Sequence, residues 1–99
     1  MVIKRTLLDD SEIGAMLMAL EGWARDDANG ITRTFEFKDF AAAFGFMQSV
    51  ADKAEELDHH PEWFNSGPKV VVRLTTHSAG GLTALDFALA AFMDEAASW

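Results

Sequence analysis

Glu62-Trp63-Phe64-Asn65-Ser66-Gly67-Pro68-Lys69-Val70-Val71-Val72-Arg73-Leu74-Thr75-Thr76 is the stretch that decides the fold. Lys69 to Thr76 is rich in β-branched residues, the composition of a strand. Side chains alternate along a strand, so Val70, Val72, Leu74 and Thr76 share one face, and Val71, Arg73, Thr75 and His77 share the other. Ser66-Gly67-Pro68 is a turn signal, and Glu62 to Asn65 before it reads as a short partner strand. The stretch predicts an antiparallel hairpin with one apolar face for a core and one face left open.

Upstream, Pro61 ends a helix and pushes His60 toward extended geometry by steric clash. That helix runs from the N-cap Asp39 to near Asp58. Phe40, Ala43, Phe44, Met47, Val50, Ala51, Ala54 and Leu57 cover one side, with Phe46 at the edge. Their arc spans roughly 160°, against about 100° for an ordinary surface helix. Such a face can cover a sheet and still offer apolar surface to another subunit, so oligomerisation is expected.

The N-terminal half repeats the pattern without repeating the sequence. A first helix is predicted over about Ser11 to Glu21, with Ile13, Met16, Leu17 and Leu20 as its stripe, Asp9 and Glu12 as a capping box, and Gly22 as its stop. Trp23 then opens a short strand. Asp26-Asp27-Ala28-Asn29-Gly30 is a turn, and Ile31 to Phe37 alternates, with Arg33 breaking the apolar face. Ala79-Gly80-Gly81 is a loop after the best strand. A third helix covers about Ala84 to Ser98, with Leu82, Leu85, Leu89, Phe92, Met93 and Ala96 in its stripe. The order is α-β-β-α-β-β-α, an α+β fold with three helices on one face of a four-stranded antiparallel sheet.

The chain has 99 residues, enough for a single domain over 1–99. Apolar residues make up 49% and charged ones 24%, which argues against disorder. No apolar run approaches the ~20 residues of a membrane helix, so no membrane partner is expected. Met1-Val2-Ile3-Lys4-Arg5 is followed by acidic residues and does not read as a signal peptide, so the expected location is cytoplasmic. Zero cysteines exclude disulfides, a thiolate nucleophile and a cysteine-type zinc site. A net charge of −8 repels phosphate backbones, and the eight bases are scattered, which argues against nucleic acid as a partner.

Three histidines stand out. His59 and His60 sit where a helix becomes extended, and His77 follows the best strand. Histidine titrates near neutrality, so a cluster is natural equipment for moving protons. A single histidine at a helix C-terminus can equally complement the dipole. Three histidines can bind zinc, but neighbours on a helix point ~100° apart, and HxH or HxxxH spacing is absent, so no metal is expected. Glu55 precedes His59 by four residues and could fix its tautomer if the helix persists, but the residues alone favour a solvated acid beside Glu56. Trp63 can stack on a flat heterocycle or belong to the core. Thr83-x-x-Asp86 is a capping pattern that accounts for Asp86 without chemistry.

Asp58-His59-His60-Pro61-Glu62-Trp63-Phe64-Asn65 resembles the signature of the pterin-4a-carbinolamine dehydratases. So do Gly22-Trp23, Phe37-Lys38-Asp39-Phe40, Ala43-Phe44-Gly45-Phe46-Met47, Val50-Ala51 and Ala54-Glu55 before it. Leu74-x-Thr76-His77 and Gly81-Leu82-x-x-x-Asp86 follow at the family's spacing. The resemblance covers about residues 20 to 95. One departure is Gly67-Pro68, where many members have Tyr-Asn, which implies a changed turn away from the histidines.

The resemblance implies dehydration of 4a-hydroxytetrahydrobiopterin to quinonoid dihydropterin, in tetrahydropterin recycling, with no metal or organic cofactor, by a homodimer or homotetramer. It implies His59, His60 and His77 as the catalytic trio, with His60 the main acid. Asp58, Thr75, Thr76 and Ser78 would line the pterin site, Trp63 would wall it, and Glu55 would orient His59. Asp86 stays ambiguous between cap and orienting residue. A rival reading is a non-catalytic protein-binding or transcriptional-coactivator module acting through the surface of the second helix, as some animal members do.

Overall fold

The computed structural model describes residues 3–99. Met1 and Val2, part of the N-terminal stretch weighed above against a signal peptide, lie outside the described residues. The elements are α1 (Asp10–Met18), β1 (Ala24–Arg25), β2 (Ile31–Glu36), α2 (Phe40–Leu57), β3 (Glu62–Ser66), β4 (Lys69–Leu74), a 3-10 turn (His77–Ala79) and α3 (Ala84–Ala97). The α-β-β-α-β-β-α order is the predicted one. No helix among the described residues is long and apolar enough to cross a membrane.

The sheet order is β1-β2-β4-β3, all antiparallel. Register sets which residues meet: Ile31 lies opposite Leu74, Phe35 opposite Val70, and Trp63 opposite Val72. Ile31, Phe35, Val70, Val72 and Leu74 are buried on the face that the helices cover. Phe64, 65% exposed, and Val71 mark the open face. Gly67 takes φ 56° ahead of Pro68, whose ring holds a negative φ, the pairing of a type II′ hairpin turn.

Each helix starts where its sequence says. The Asp9–Glu12 box, the Asp39 cap and the Thr83–Asp86 box all form. α1 stops at Met18, short of the expected Glu21. Ala19 and Leu20 donate to carbonyls three residues back, which tightens the chain and turns Leu20 and Trp23 toward the core. Ile13 is the one fully buried member of the stripe, and Met16 is exposed, so little tertiary packing extends that helix. On α2, Phe46 is buried and central, not marginal, because it packs on Phe35 at 4.8 Å and Phe37 at 5.0 Å. Phe40 and Phe44, placed in the apolar arc, face solvent side by side with centroids 5.7 Å apart. The sheet is narrower than the arc.

Arg33 also finds its reason. It lies on the covered face, donates to Asp94 Oδ1 at 2.8 Å, and sits 4.5 Å over the Phe35 ring. Trp23 Nε1 donates to the same carboxylate oxygen at 2.7 Å. The first hairpin is closed by Asp26, which accepts from the Ala28 and Gly30 amides at 2.9 and 2.8 Å. Arg73 Nε donates to the other Asp26 oxygen at 2.6 Å. That hydrogen bond, helped by the two amides, holds the Asp26 carboxyl below its ordinary value, against a smaller opposing effect of burial. A Cβ at Gly30 would stand 2.8 Å from the Arg73 guanidinium, so a larger residue there displaces that side chain from Asp26.

Candidate active site

α2 ends in a Schellman motif. The His59 amide donates to the Ala54 carbonyl at 3.0 Å and the Asp58 amide to the Glu55 carbonyl at 3.2 Å. Asp58 takes the left-handed conformation at φ 50° and ψ 45°. Glycine is the usual residue there, and a side chain costs about 1 kcal/mol. The reversal separates two adjacent side chains. His59 turns inward to 5% exposure, while His60 stays exposed.

His59 Nε2 meets Asp86 Oδ1 at 2.6 Å. Asp86 is fully buried, and its second oxygen accepts from the Thr76 hydroxyl at 2.8 Å and the Thr83 amide at 2.9 Å. A carboxylate only accepts, so the network assigns the proton of a neutral His59 ring to Nε2 and leaves Nδ1 as an acceptor. Nδ1 has no hydrogen-bond partner among the described residues. Asp86 therefore does two jobs with two oxygens: one caps α3 and the other holds His59. The capping pattern was legible, and it did not exhaust the residue.

The other two histidines have carboxylate partners as well. His60 Nε2 meets Glu55 Oε2 at 2.5 Å, and His77 Nε2 meets Glu62 Oε2 at 3.0 Å. The expectation that Glu55 orients His59 is corrected. The helix stops at Leu57, so the four-residue face rule does not carry through the left-handed Asp58, and Glu55 meets His60 instead. Glu62 was not singled out. It also accepts from Arg73 Nη1 at 3.2 Å, its cross-strand neighbour, and that register was the signal available for it.

The three histidines line an open cleft of about 240 Å³ together with Arg5, Asp58, Thr75, Thr76 and Ser78. The volume lies below the ~300–1,000 Å³ usual for whole ligands, which suits a flat ring head with its substituent outside. A larger hollow of about 550 Å³ lies between the start of α2 and the end of α3, but no histidine lines it. Thr75 donates its hydroxyl to the Asn29 carbonyl at 2.8 Å, and Thr76 is committed to Asp86, so both sit in fixed rotamers. Trp63 does not line the cleft. It points to the covered face of the sheet and packs against the core. Arg5 was missed, because an isolated cation ahead of the first helix belongs to no periodic pattern. It donates to the Asp58 carbonyl at 2.6 Å.

The profile of the pterin 4 alpha carbinolamine dehydratase family matches residues 6–96. A protein of Rhizobium leguminosarum bv. trifolii, provisionally named a pterin-4-alpha-carbinolamine dehydratase, is 50% identical over 97 residues, covering 97% of this chain and 96% of that one. A Brucella ovis protein with the same provisional name is 52% identical over 91 residues, covering 91% and 94%. The crystal structure of a transcriptional coactivator/pterin dehydratase from Brucella melitensis superposes with a TM-score of 0.89 at 52% identity, over 91% of this chain and 97% of that one. A pterin dehydratase-like RuBisCO assembly factor of the alpha-carboxysome shares the fold, at a TM-score of 0.66 and 23% identity over 78% and 90%.

Proposed function

The chain belongs to the pterin 4 alpha carbinolamine dehydratase family, and on that premise we propose that it dehydrates 4a-hydroxytetrahydrobiopterin to quinonoid dihydropterin by histidine acid–base catalysis. The single observation that carries this reading is the convergence of three imidazole–carboxylate pairs on one cleft: His59 with Asp86, His60 with Glu55, and His77 with Glu62.

The reaction breaks the C4a–O bond. The oxygen takes a proton and leaves as water, N5 gives up its proton, and the N5 electron pair forms the C4a–N5 double bond. No oxidant is needed. Positioned acids and bases contribute ~10²–10⁴-fold to such steps. His60 is the acid for the hydroxyl: it is open to solvent, which reloads it, and Glu55 Oε2 holds its Nε2 in place. His59 presents a fixed acceptor nitrogen, and His77 lines the same cleft. These two receive the N5 proton and orient the ring. Asp58 and Ser78 bind the pterin at the cleft, and the committed hydroxyls of Thr75 and Thr76 shape its floor. The reading requires no metal and no organic cofactor, and it places the protein in tetrahydropterin recycling.

The test is a dehydration time course. Substrate is generated freshly, metal-free protein is added, and quinonoid dihydropterin is followed by absorbance. Acceleration above the uncatalysed rate supports the proposal, and its absence with well-folded protein discards it.

A second reading draws on Phe40 and Phe44, exposed side by side on α2. This face suits a homodimer or homotetramer, or the transcriptional-coactivator role that the name of the Brucella melitensis relative includes. Sedimentation of Phe44→Glu against wild type separates self-association from a monomer.

A further inference from the structure

Among the described residues Arg5 is the only lysine or arginine lining the cleft, and it stands just ahead of the span that the family profile matches. It is not a free surface cation. Its Nη2 donates to the Asp58 carbonyl at 2.6 Å and lies 3.7 Å from Asp58 Oδ2, so a guanidinium and a carboxylate stand side by side at the cleft mouth. The hydrogen bond goes to the backbone, which leaves the Asp58 carboxylate available, with its side chain 90% exposed. A guanidinium has five N–H donors, and this is the one hydrogen bond Arg5 makes among the described residues. The N-terminal segment that carries it is docked beside the cleft by the Leu8 amide, which donates to the Leu82 carbonyl at 2.9 Å.

A pterin offers one edge with matching chemistry. The 4-carbonyl oxygen accepts, and the neighbouring N3–H and 2-amino group donate. We propose that Arg5 is a specificity-determining residue that donates to the 4-carbonyl of the pterin while Asp58 accepts from N3–H and the 2-amino group, so that the cleft selects 4-oxo over 4-amino pteridines. A carboxylate takes two parallel donors well, and a guanidinium cannot accept. A 4-amino group would therefore point a donor at a donor, with Arg5 left unpaired. The remaining cleft groups that face this pair, His59, His60, His77 and the Thr75, Thr76 and Ser78 hydroxyls, carry no permanent positive charge that could replace Arg5.

The inference rests on the pterin reading above, and the test separates the two. Calorimetric titration uses two non-reacting probes, a 2-amino-4-oxo dihydropterin and its 2,4-diamino counterpart, against wild type, Arg5→Gln and Arg5→Lys. Wild type is expected to prefer the 4-oxo probe by about ten-fold, the low end for a charged hydrogen bond because 40% of the Arg5 side chain remains in water. The diamino probe also lacks the N3–H that Asp58 accepts, so Arg5→Gln narrows the preference to the part Asp58 supplies, and Arg5→Lys stays nearer to wild type. All three fold, because an exposed pair contributes little to stability. An unchanged preference in Arg5→Gln overturns the role of Arg5 alone. Failure of wild type to bind either probe overturns the pterin reading and this inference together.

Discussion

Replacing Asp86 separates two roles that sit on one side chain. In Asp86→Asn the amide oxygen can still accept from the Thr83 amide and the Thr76 hydroxyl, as Oδ2 does at 2.9 and 2.8 Å. The capping box survives. The amide nitrogen then faces His59 Nε2, where Oδ1 stood at 2.6 Å. It donates, so the ring proton moves to Nδ1 and the nitrogen offered to the cleft changes from acceptor to donor. The stability cost is one charge-assisted hydrogen bond, about 1–2 kcal/mol. For a domain of this size that lowers Tm by about 5–15 °C. Turnover falls by ~10²-fold or more, the scale of a lost acid–base group. Asp86→Ala strands His59 Nε2, the Thr76 hydroxyl and the Thr83 amide together, at a cost of about 3–5 kcal/mol, and lowers Tm by roughly 15–30 °C. The assay pairs thermal melts and turnover with nitrogen NMR of the imidazole, which reads the tautomer. An Asn variant that melts lower but keeps wild-type turnover and the wild-type tautomer would reduce Asp86 to a helix cap.

Asp58→Gly removes the strain of a left-handed aspartate, and is expected to raise Tm by a few degrees, from about 0.5–1 kcal/mol, while weakening pterin binding. Melting and titration calorimetry on one preparation check the opposite signs. Asp26 gives the pH dependence. Its carboxyl, held by Arg73, ionises below the ordinary value of 3.8, so its stabilisation is complete above that pH and is lost as pH falls through the lower folded value. Asp26→Asn should melt below wild type at neutral pH, and the gap should close in acid below 3.8. A gap that persists unchanged into strong acid refutes the assignment.

The fold was largely legible because its determinants are local. Alternation in Val70 to Leu74, the turn at Gly67-Pro68 and the caps Asp9, Asp39 and Thr83 each act within a few residues. The end of α1 and the burial of Phe46 were not, because both depend on which surface the sheet presents. The histidine trio could be named from its motif, but its partners could not. His59 and Asp86 lie 27 positions apart, and nothing periodic links them. Glu55 was assigned to the wrong histidine because a helical face rule was carried past a residue that leaves the helix. Arg33 looked like an error in an apolar face until Asp94 and Trp23 supplied the hydrogen bonds that permit it there. Glu62 and Arg5 illustrate the same gap, since both matter only through neighbours brought together by the tertiary fold.

Proton transfer by the cluster, with His60 as the proposed acid, is open to test on the histidines themselves. The direct measurement is the dehydration time course for wild type, His59→Ala, His60→Ala and His77→Ala, each checked for folding by circular dichroism. Wild type should accelerate the reaction, and His60→Ala should lose most of that acceleration while keeping its fold. His60→Ala turning over at the wild-type rate would contradict the assignment of the acid, and wild-type rates in all three variants would contradict histidine catalysis altogether.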